Sequence, residues 1–117
     1  MMDSKGLLEL QVISGSMEPV IMTNEKIIAV RLEKHSTTLK PFDIIVFWDG
    51  NRLICHYIWH INRLIRSNGV QVYVTRPYAG KGEDLPLTEA QVLGLVTSHR
   101  ISSFGRLKLL IKAFLKK

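Results

Sequence analysis

The sequence predicts one mostly β domain that ends in an amphipathic helix. Short apolar runs rich in β-branched residues are separated by turn residues, which is the pattern of strands. These runs are residues 26–32, 43–48, 52–58 with its continuation 59–66, 70–75 and 92–97. Asp49-Gly50 and Asn68-Gly69 separate neighbouring runs and are typical of tight hairpin turns. Strands at this spacing favour coiled antiparallel sheets or a partial barrel.

The composition limits the classes of protein to which the chain can belong. Its 117 residues fit a single domain with one core, and a hydrophobic content of 46% excludes a disordered chain. The net charge of +6 suits a nucleic acid, an anionic membrane surface or an acidic substrate. Cys55 is the single cysteine, which excludes both an intrachain disulfide and a cysteine-rich zinc site. We expect no metal and no other cofactor.

The last segment, residues 101–117, differs from the rest because apolar residues recur there at helical spacing. The apolar positions are Leu107, Leu110, Ile111, Phe114 and Leu115, and Lys108, Lys112 and Lys116 form a basic stripe with a spacing of four residues. Residues 104–117 therefore predict a basic amphipathic helix, which either contacts an anionic membrane surface or packs on the domain's own core. No apolar run approaches the ~20 residues of a membrane span, and no signal-peptide pattern is present. We expect a cytoplasmic protein or one that lies peripherally on a membrane.

The most informative stretch is residues 13–20, with the sequence ISGSMEPV. Gly15 permits a sharp turn that exposes the Ser16 hydroxyl, and Pro19 fixes the chain just after it. A serine hydroxyl is a poor nucleophile at neutral pH unless a base and donors for the oxyanion lie beside it. Taken alone, Ser14-Gly15-Ser16 is more often an ordinary turn than a catalytic one.

Several segments in the same order resemble type I signal peptidases, which share a clan with the LexA-like self-cleaving repressors. Residues 13–19 (ISGSMEP) resemble the nucleophile box of this family, and residues 53–58 (LICHYI) resemble its strand for the general base. Residues 39–47 (LKPFDIIVF) are similar to the strand GD-(I/V)-V-x-F, with Phe42 at the position of the glycine. Residues 75–94 are similar to the segment that opens TKGD and ends near V-x-G.

The resemblance covers residues 9–97 and implies the signal peptidase and LexA-like protease fold. It implies that residues 1–100 form a catalytic domain, followed by the helical segment 101–117. The activity it implies is that of a serine endopeptidase that cleaves precursor proteins or peptides after small residues. The alternative is an inactive domain of this fold that binds a peptide, a membrane or a nucleic acid. Nucleic acid is the less expected partner, because no basic run is interleaved with aromatic residues.

The resemblance places the general base at His56, 40 residues after Ser16. Many relatives carry a lysine there, but no lysine lies between Lys40 and Lys81. Histidine at this position resembles the archaeal, endoplasmic-reticulum and sporulation-type signal peptidases. An imidazole can accept the serine proton and later donate it to the leaving amine. His60 is the rival base, because an even offset along a strand would put it on the same face as His56.

The family pattern also implies an acid and an oxyanion hole. Aligning Thr75 with the start of TKGD places Asp84 at the aspartate that assists the histidine, and Glu83 is the alternative acid. Arg76, Pro77 and Tyr78 replace the remaining residues of that motif. The backbone N–H of Ser16 and the hydroxyl of Ser14 would form the oxyanion hole.

Other residues in these segments are expected to have structural roles. Met17 resembles the residue that lies beneath the site, and Asp43 is expected to bond the local backbone. His35 and His99 match no motif and are expected at the surface. A turn is expected at residues 85–89, within the loop that follows residue 75.

Overall fold

A computed structural model of the chain describes residues 6–32, 39–64, 70–79 and 82–115. The described residues form a seven-stranded sheet, a short 3₁₀ turn and one α-helix. The strands are β1 (Leu7–Gln11), β2 (Lys26–Arg31), β3 (Ile44–Asp49), β4 (Arg52–Leu64), β5 (Val70–Arg76), β6 (Leu87–Thr88) and β7 (Val92–Val96). The 3₁₀ turn is Glu89–Gln91 and the helix is α1 (Ser103–Leu115).

The strands lie in the order β1-β2-β7-β3-β4-β5-β6, and each neighbouring pair is antiparallel. The prediction of a mostly β domain with a C-terminal helix is therefore confirmed. The Asp49-Gly50 turn joins β3 to β4 as expected, and Gly50 adopts a φ of 63°, which suits a tight hairpin turn. The expected Asn68-Gly69 turn lies outside the described residues. At residues 85–89 the structure has strand β6 and the start of the 3₁₀ turn.

Strand β3 lies at the centre of the core, because both of its faces are covered. Ile44 and Val46 pack in one cluster of buried side chains, whereas Ile45 and Phe47 pack in a second cluster on the opposite face. All four residues are buried. This explains why the sequence of this strand is continuously apolar and does not alternate.

Strand β4 carries a bulge that changes the expected placement of His60. Ile58 is opposite Thr75 and His60 is opposite Val74, so β4 has one extra residue at this point. The even offset from His56 therefore does not hold across the bulge, and the expectation that the two histidines share a face is wrong. His60 is exposed, whereas His56 is buried.

The helix α1 contacts the domain through one narrow side. Gly105 is buried, and Leu109 packs against the first buried cluster. The apolar residues that the sequence analysis singled out are instead exposed, with fractional exposures from 49% for Ile111 to 77% for Leu115. The alternative in which this apolar face packs on the domain core is therefore wrong. No helix in the described part of the chain is long and apolar enough to cross a bilayer.

Candidate active site

Ser16 lies in the loop between β1 and β2, in a turn that is anchored from below. Met17 is fully buried, and its sulfur accepts a hydrogen bond from the Tyr78 N–H at 3.4 Å. The next residue, Ala79, donates its N–H to the Ser16 carbonyl oxygen at 2.8 Å. These contacts hold the backbone of Ser16 against the segment that follows β5. Met17 is therefore a core residue that adjoins Ser16.

The Glu18 side chain folds back over Gly15 and closes the turn. The Glu18 carboxylate accepts hydrogen bonds from the Thr23 hydroxyl at 2.8 Å and from the Thr23 N–H at 3.1 Å. These bonds lower the pKa of Glu18. A Cβ atom on Gly15 would lie 3.2 Å from the Glu18 carboxylate and 3.4 Å from the Thr23 hydroxyl. Glycine at position 15 therefore makes room for the carboxylate, and the Glu18–Pro19 peptide bond that follows is cis.

The hydroxyl of Ser16 forms a hydrogen bond with the hydroxyl of Ser14, at an Oγ–Oγ distance of 3.2 Å. Ser14, Ser16 and His56 line one pocket of about 310 Å³. Within the described ranges, no hydrogen bond joins Ser16 to His56. The two residues therefore share a pocket, while the serine hydroxyl is directed to its neighbour Ser14.

His56 is held by a short bond to an acid. Its Nδ1 donates to Asp84 Oδ2 at 2.5 Å, and the His56 side chain is only 11% exposed. Because a carboxylate is an acceptor only, this bond makes Nδ1 the protonated nitrogen of the neutral ring and leaves Nε2 to accept a proton. The structure therefore brings together His56 and Asp84, which are 28 residues apart in the chain.

Thr75 also positions Asp84. The Thr75 hydroxyl donates to the same Asp84 Oδ2 atom at 2.7 Å, and the Asp84 N–H donates to the Thr75 carbonyl oxygen at 2.9 Å. The Thr75 side chain is fully buried. Sequence reasoning used Thr75 only as an alignment marker and missed this contact. The sequence feature that could have indicated this contact is a residue with a hydroxyl group near the end of β5, just before the loop that carries Asp84.

Glu83, the alternative acid, is engaged elsewhere. Its carboxylate accepts two hydrogen bonds from the Arg76 guanidinium, at 2.5 and 3.1 Å. The Arg76 guanidinium also lies over the Trp59 ring, 4.0 Å from its centroid. Glu83 is therefore paired with Arg76, while Asp84 is the acid that bonds His56.

Other predicted residues lie apart from this site. His99 is only partly exposed and lies 3.2 Å from the Glu25 carboxylate, so it is a surface residue in part. His35 lies outside the described residues. Asp43 accepts a hydrogen bond from the Lys40 N–H at 2.9 Å, which confirms its expected structural role.

The walls of the pocket are mostly aliphatic. Val12, Ile27, Val46 and Ile54 are among the residues that line it. A second pocket, of about 360 Å³, shares His56, Ile54 and Arg52 with the first. Its other walls include Asp84, Trp48, Leu85 and Leu87. His56 therefore lies where two clefts meet, with Ser16 in one and Asp84 in the other.

Cys55 also lines the first pocket and is a second candidate nucleophile. Burial raises the pKa of its thiol to about 12. The reactive form of cysteine is the thiolate, so a thiol with this pKa is a poor nucleophile at neutral pH. The pocket therefore offers Ser16 as its more suitable nucleophile.

The described residues offer no group of three histidine, cysteine, aspartate or glutamate side chains that could hold a metal ion. The groups that this pocket offers for chemistry are the His56 imidazole, which can exchange a proton, and the hydroxyls of Ser14 and Ser16. Comparisons of the chain with protein-family models, with curated proteins and with solved structures found no match.

Proposed function

We propose that the chain is a serine endopeptidase of the signal peptidase type, with Ser16 as nucleophile and His56 as general base. The observation that carries this proposal is the Asp84–His56 hydrogen bond at a pocket that Ser16 also lines. A carboxylate on Nδ1 is what a histidine base requires, because it selects the correct tautomer and stabilises the imidazolium that forms. The proposal includes the fold, because the antiparallel sheet would then be that of the signal peptidase and LexA-like clan.

The reaction would proceed by acyl transfer. His56 Nε2 accepts the proton of the Ser16 hydroxyl as the serine oxygen attacks the carbonyl carbon of the substrate. The resulting oxyanion is stabilised by the Ser16 N–H and the Ser14 hydroxyl. Collapse of this intermediate breaks the C–N bond, and His56 donates its proton to the leaving amine. His56 then activates a water molecule that hydrolyses the acyl-enzyme, releasing the carboxylate product and restoring Ser16.

Two features of the free protein agree with these roles. Within the described part of the chain, the Ser16 N–H makes no hydrogen bond, so this donor is available for an oxyanion. In the free protein the Ser16 hydroxyl bonds Ser14, and under this proposal it bonds His56 once substrate is bound, since catalytic hydrogen bonds are often formed only in that state. In that state the Ser14 hydroxyl is free to donate to the oxyanion.

The pocket walls favour an apolar, uncharged peptide segment. Most of the residues that line the pocket beside Ser16 are aliphatic, and none of them is acidic. We propose small residues before the scissile bond, as the resemblance to signal peptidases implies. The two clefts that meet at His56 would hold the chain on either side of that bond.

The test is turnover of fluorogenic peptides with small residues before the scissile bond, followed by mass spectrometry of the products. Ser16→Ala should reduce the rate by at least about 10³-fold, as expected for loss of a catalytic nucleophile. Ser103→Ala is the matched control, because it changes a serine at the start of α1, outside the pocket. Equal turnover by the wild-type and Ser16→Ala proteins would contradict the assignment of the nucleophile.

A second candidate function is a non-catalytic peptide-binding module of the same fold. The observation that favours it is that the Ser16 hydroxyl bonds Ser14 and, among the described residues, makes no hydrogen bond with His56. This candidate predicts that peptides bind the wild-type and Ser16→Ala proteins with the same affinity and leave both uncleaved. Calorimetric titration, with product analysis of the same samples, distinguishes the two functions.

A further inference from the structure

The helix α1 exposes an unusually apolar surface. Its residues Phe104, Leu107, Leu110, Ile111, Phe114 and Leu115 are 70%, 53%, 50%, 49%, 74% and 77% exposed. Successive positions of an α-helix are about 100° apart, so these residues cover a broad face opposite Gly105 and Leu109. An exposed, contiguous apolar face of this kind marks an interaction site. We call it the outer face of α1.

The orientation of the helix is set by close contacts on its other side. A Cβ atom on Gly105 would lie 3.0 Å from the Tyr78 hydroxyl and 3.1 Å from an Ile101 methyl group. Arg106 donates to the Ile101 carbonyl oxygen at 3.0 Å, and its guanidinium lies 5.4 Å from the centre of the Phe42 ring. The close approach at Gly105 and the contacts of Arg106 therefore hold α1 against the domain. They leave the outer face directed away from it.

The charge beside the outer face has one sign. Lys108 and Lys112 are both exposed and lie one turn apart along an edge of this face. The segment 103–117 contains no aspartate or glutamate, and the sequence ends with two further lysines. A second copy of the chain would bring the same lysines and the same net charge of +6 to the contact. An anionic surface complements this charge, whereas a second copy repels it.

The dimensions of α1 favour the surface of a bilayer. Its 13 residues rise about 20 Å in total, which is shorter than the roughly 30 Å hydrocarbon core of a bilayer. An apolar face of leucine, isoleucine and phenylalanine beside lysines is typical of helices that lie in the plane of the interface. Lysine side chains at its edge can extend to lipid phosphates while their methylene groups cover apolar surface.

We propose that the outer face of α1 binds anionic lipid bilayers. The helix lies parallel to the membrane, with the outer face at the boundary of headgroups and acyl chains and with Lys108 and Lys112 on lipid phosphates. This inference goes beyond the peptidase proposal and does not depend on it. The segment with Tyr78 and Ala79 contacts both Gly105 of α1 and the backbone of Ser16. Membrane binding through α1 would therefore also restrict where the Ser16 pocket lies relative to the bilayer.

The test is co-sedimentation of the full chain with phosphatidylcholine vesicles, with and without about a third of phosphatidylserine. We expect binding to the anionic vesicles, weakened at high salt because surface charge is screened. Lys108→Gln with Lys112→Gln should weaken binding about 5-fold for each lysine, or about 30-fold together. The control is Lys26→Gln with Lys40→Gln, which has the same net charge but changes exposed lysines outside α1. Equal weakening by the two pairs would overturn the assignment of the site.

The apolar contribution is tested by Ile111→Ser with Phe114→Ser, which should abolish sedimentation with anionic vesicles. The control pair is Met22→Ser with Leu85→Ser, whose side chains are 49% and 87% exposed outside the helix. Thermal melts check that each variant is folded. The proposal is overturned if the wild-type chain stays in the supernatant, if it binds neutral and anionic vesicles equally, or if the apolar pair converts a dimer to a monomer without affecting vesicle binding.

Discussion

The bond between Asp84 and His56 makes the strongest quantitative prediction. Replacing Asp84 with asparagine keeps the size of the side chain but removes its charge. The asparagine amide can also present an N–H group to His56 Nδ1, which would favour the tautomer with its proton on Nε2. A histidine in that tautomer cannot accept the proton of Ser16. Asp84→Asn should therefore leave the fold intact and greatly reduce turnover.

The size of this effect follows from the distance between the two groups. Opposite unit charges 2.5 Å apart attract each other by about 7 kcal/mol at an effective dielectric constant of about 20. The carboxylate spreads its charge over two oxygens, and the Asp84 side chain is 30% exposed to water. The attraction that stabilises the transition state is therefore smaller than this value. A loss of about 4 to 5 kcal/mol of transition-state stabilisation corresponds to a rate about 10³- to 10⁴-fold lower. Loss of the aspartate charge in a serine protease triad has an effect of this size.

The assay compares Asp84→Asn with Glu83→Gln under conditions in which the wild-type chain cleaves its peptide. Glu83→Gln is a suitable control because Glu83 is the adjacent acid and the glutamine amide oxygen can still accept a hydrogen bond from Arg76. NMR provides a readout that does not require turnover, since the proton on His56 Nδ1 should resonate far downfield in the wild-type protein and in Glu83→Gln. Similar rates for the two variants, or a downfield proton that survives in Asp84→Asn, would refute the proposed role of Asp84.

Three further substitutions test the rest of the site. His56→Ala should reduce turnover as severely as Ser16→Ala. His60→Ala should change it less than about 3-fold, because His60 is exposed and lies beyond the bulge. If the His60 variant were the more damaged of the two, the base would be His60. Thr75→Val should lower the rate by removing one of the two bonds to the aspartate, and Thr75→Ser should restore it, as kinetics of both variants would show. Cys55→Ala should retain turnover. It should also make the free energy of unfolding less sensitive to alkaline pH. The unfolded thiol ionises near pH 9.0 while the native thiol stays protonated to about pH 12, so the free energy of unfolding falls as the pH rises through this window; chemical denaturation at pH 8 and pH 10 measures it.

The strands that the sequence predicts well are runs rich in apolar residues, whether these are continuously buried, as in β3, or alternate in burial, as in β7. Residues 43–48 and 52–66 have the apolar content and the intervening Asp-Gly turn that make β3 and β4 visible in the sequence. Strand β1 was missed although Leu8 and Leu10 alternate with exposed Glu9 and Gln11 and Gly6 precedes the strand, because five residues give only a short alternating pattern. Strand β6 has two residues, and its existence depends on pairing with β5, which no local pattern contains.

Phe42 stands where the resembled family has a glycine, and the structure explains part of this difference. The resemblance places a glycine there, and Phe42 does adopt a φ of 73°, a backbone conformation that favours glycine. Its ring lies 6.3 Å from the Tyr57 ring and 6.1 Å from the Trp59 ring. Aromatic contacts of this kind stabilise the fold by about 0.5 to 1.5 kcal/mol each beyond simple burial, which can offset the unfavourable φ. The sequence alone contains the substitution but not these neighbours.

The residues of the candidate site could be proposed from the sequence only through the resemblance, because neither charge nor periodicity identifies them. Glu83 and Asp84 are adjacent acids in a loop, and the preference for one over the other depends on Arg76, which binds Glu83 and leaves Asp84 to His56. Sequence spacing contains no information on that choice. The side of α1 that faces the domain likewise depends on how closely Gly105 approaches Tyr78.

The positions of His56 and Ser16 both depend on the segment that follows β5, because this segment folds back against the sheet. The Asp84 N–H binds the carbonyl of Thr75, which brings the acid back to the strand that pairs with β4 and hence to His56. The same stretch supplies Ala79, which holds the backbone of Ser16. One loop therefore holds the His56 side chain through Asp84 and the Ser16 backbone through Ala79. Variants that disturb this loop should disturb both of these contacts together. A change confined to the outer face of α1 should leave peptide cleavage in solution unaffected.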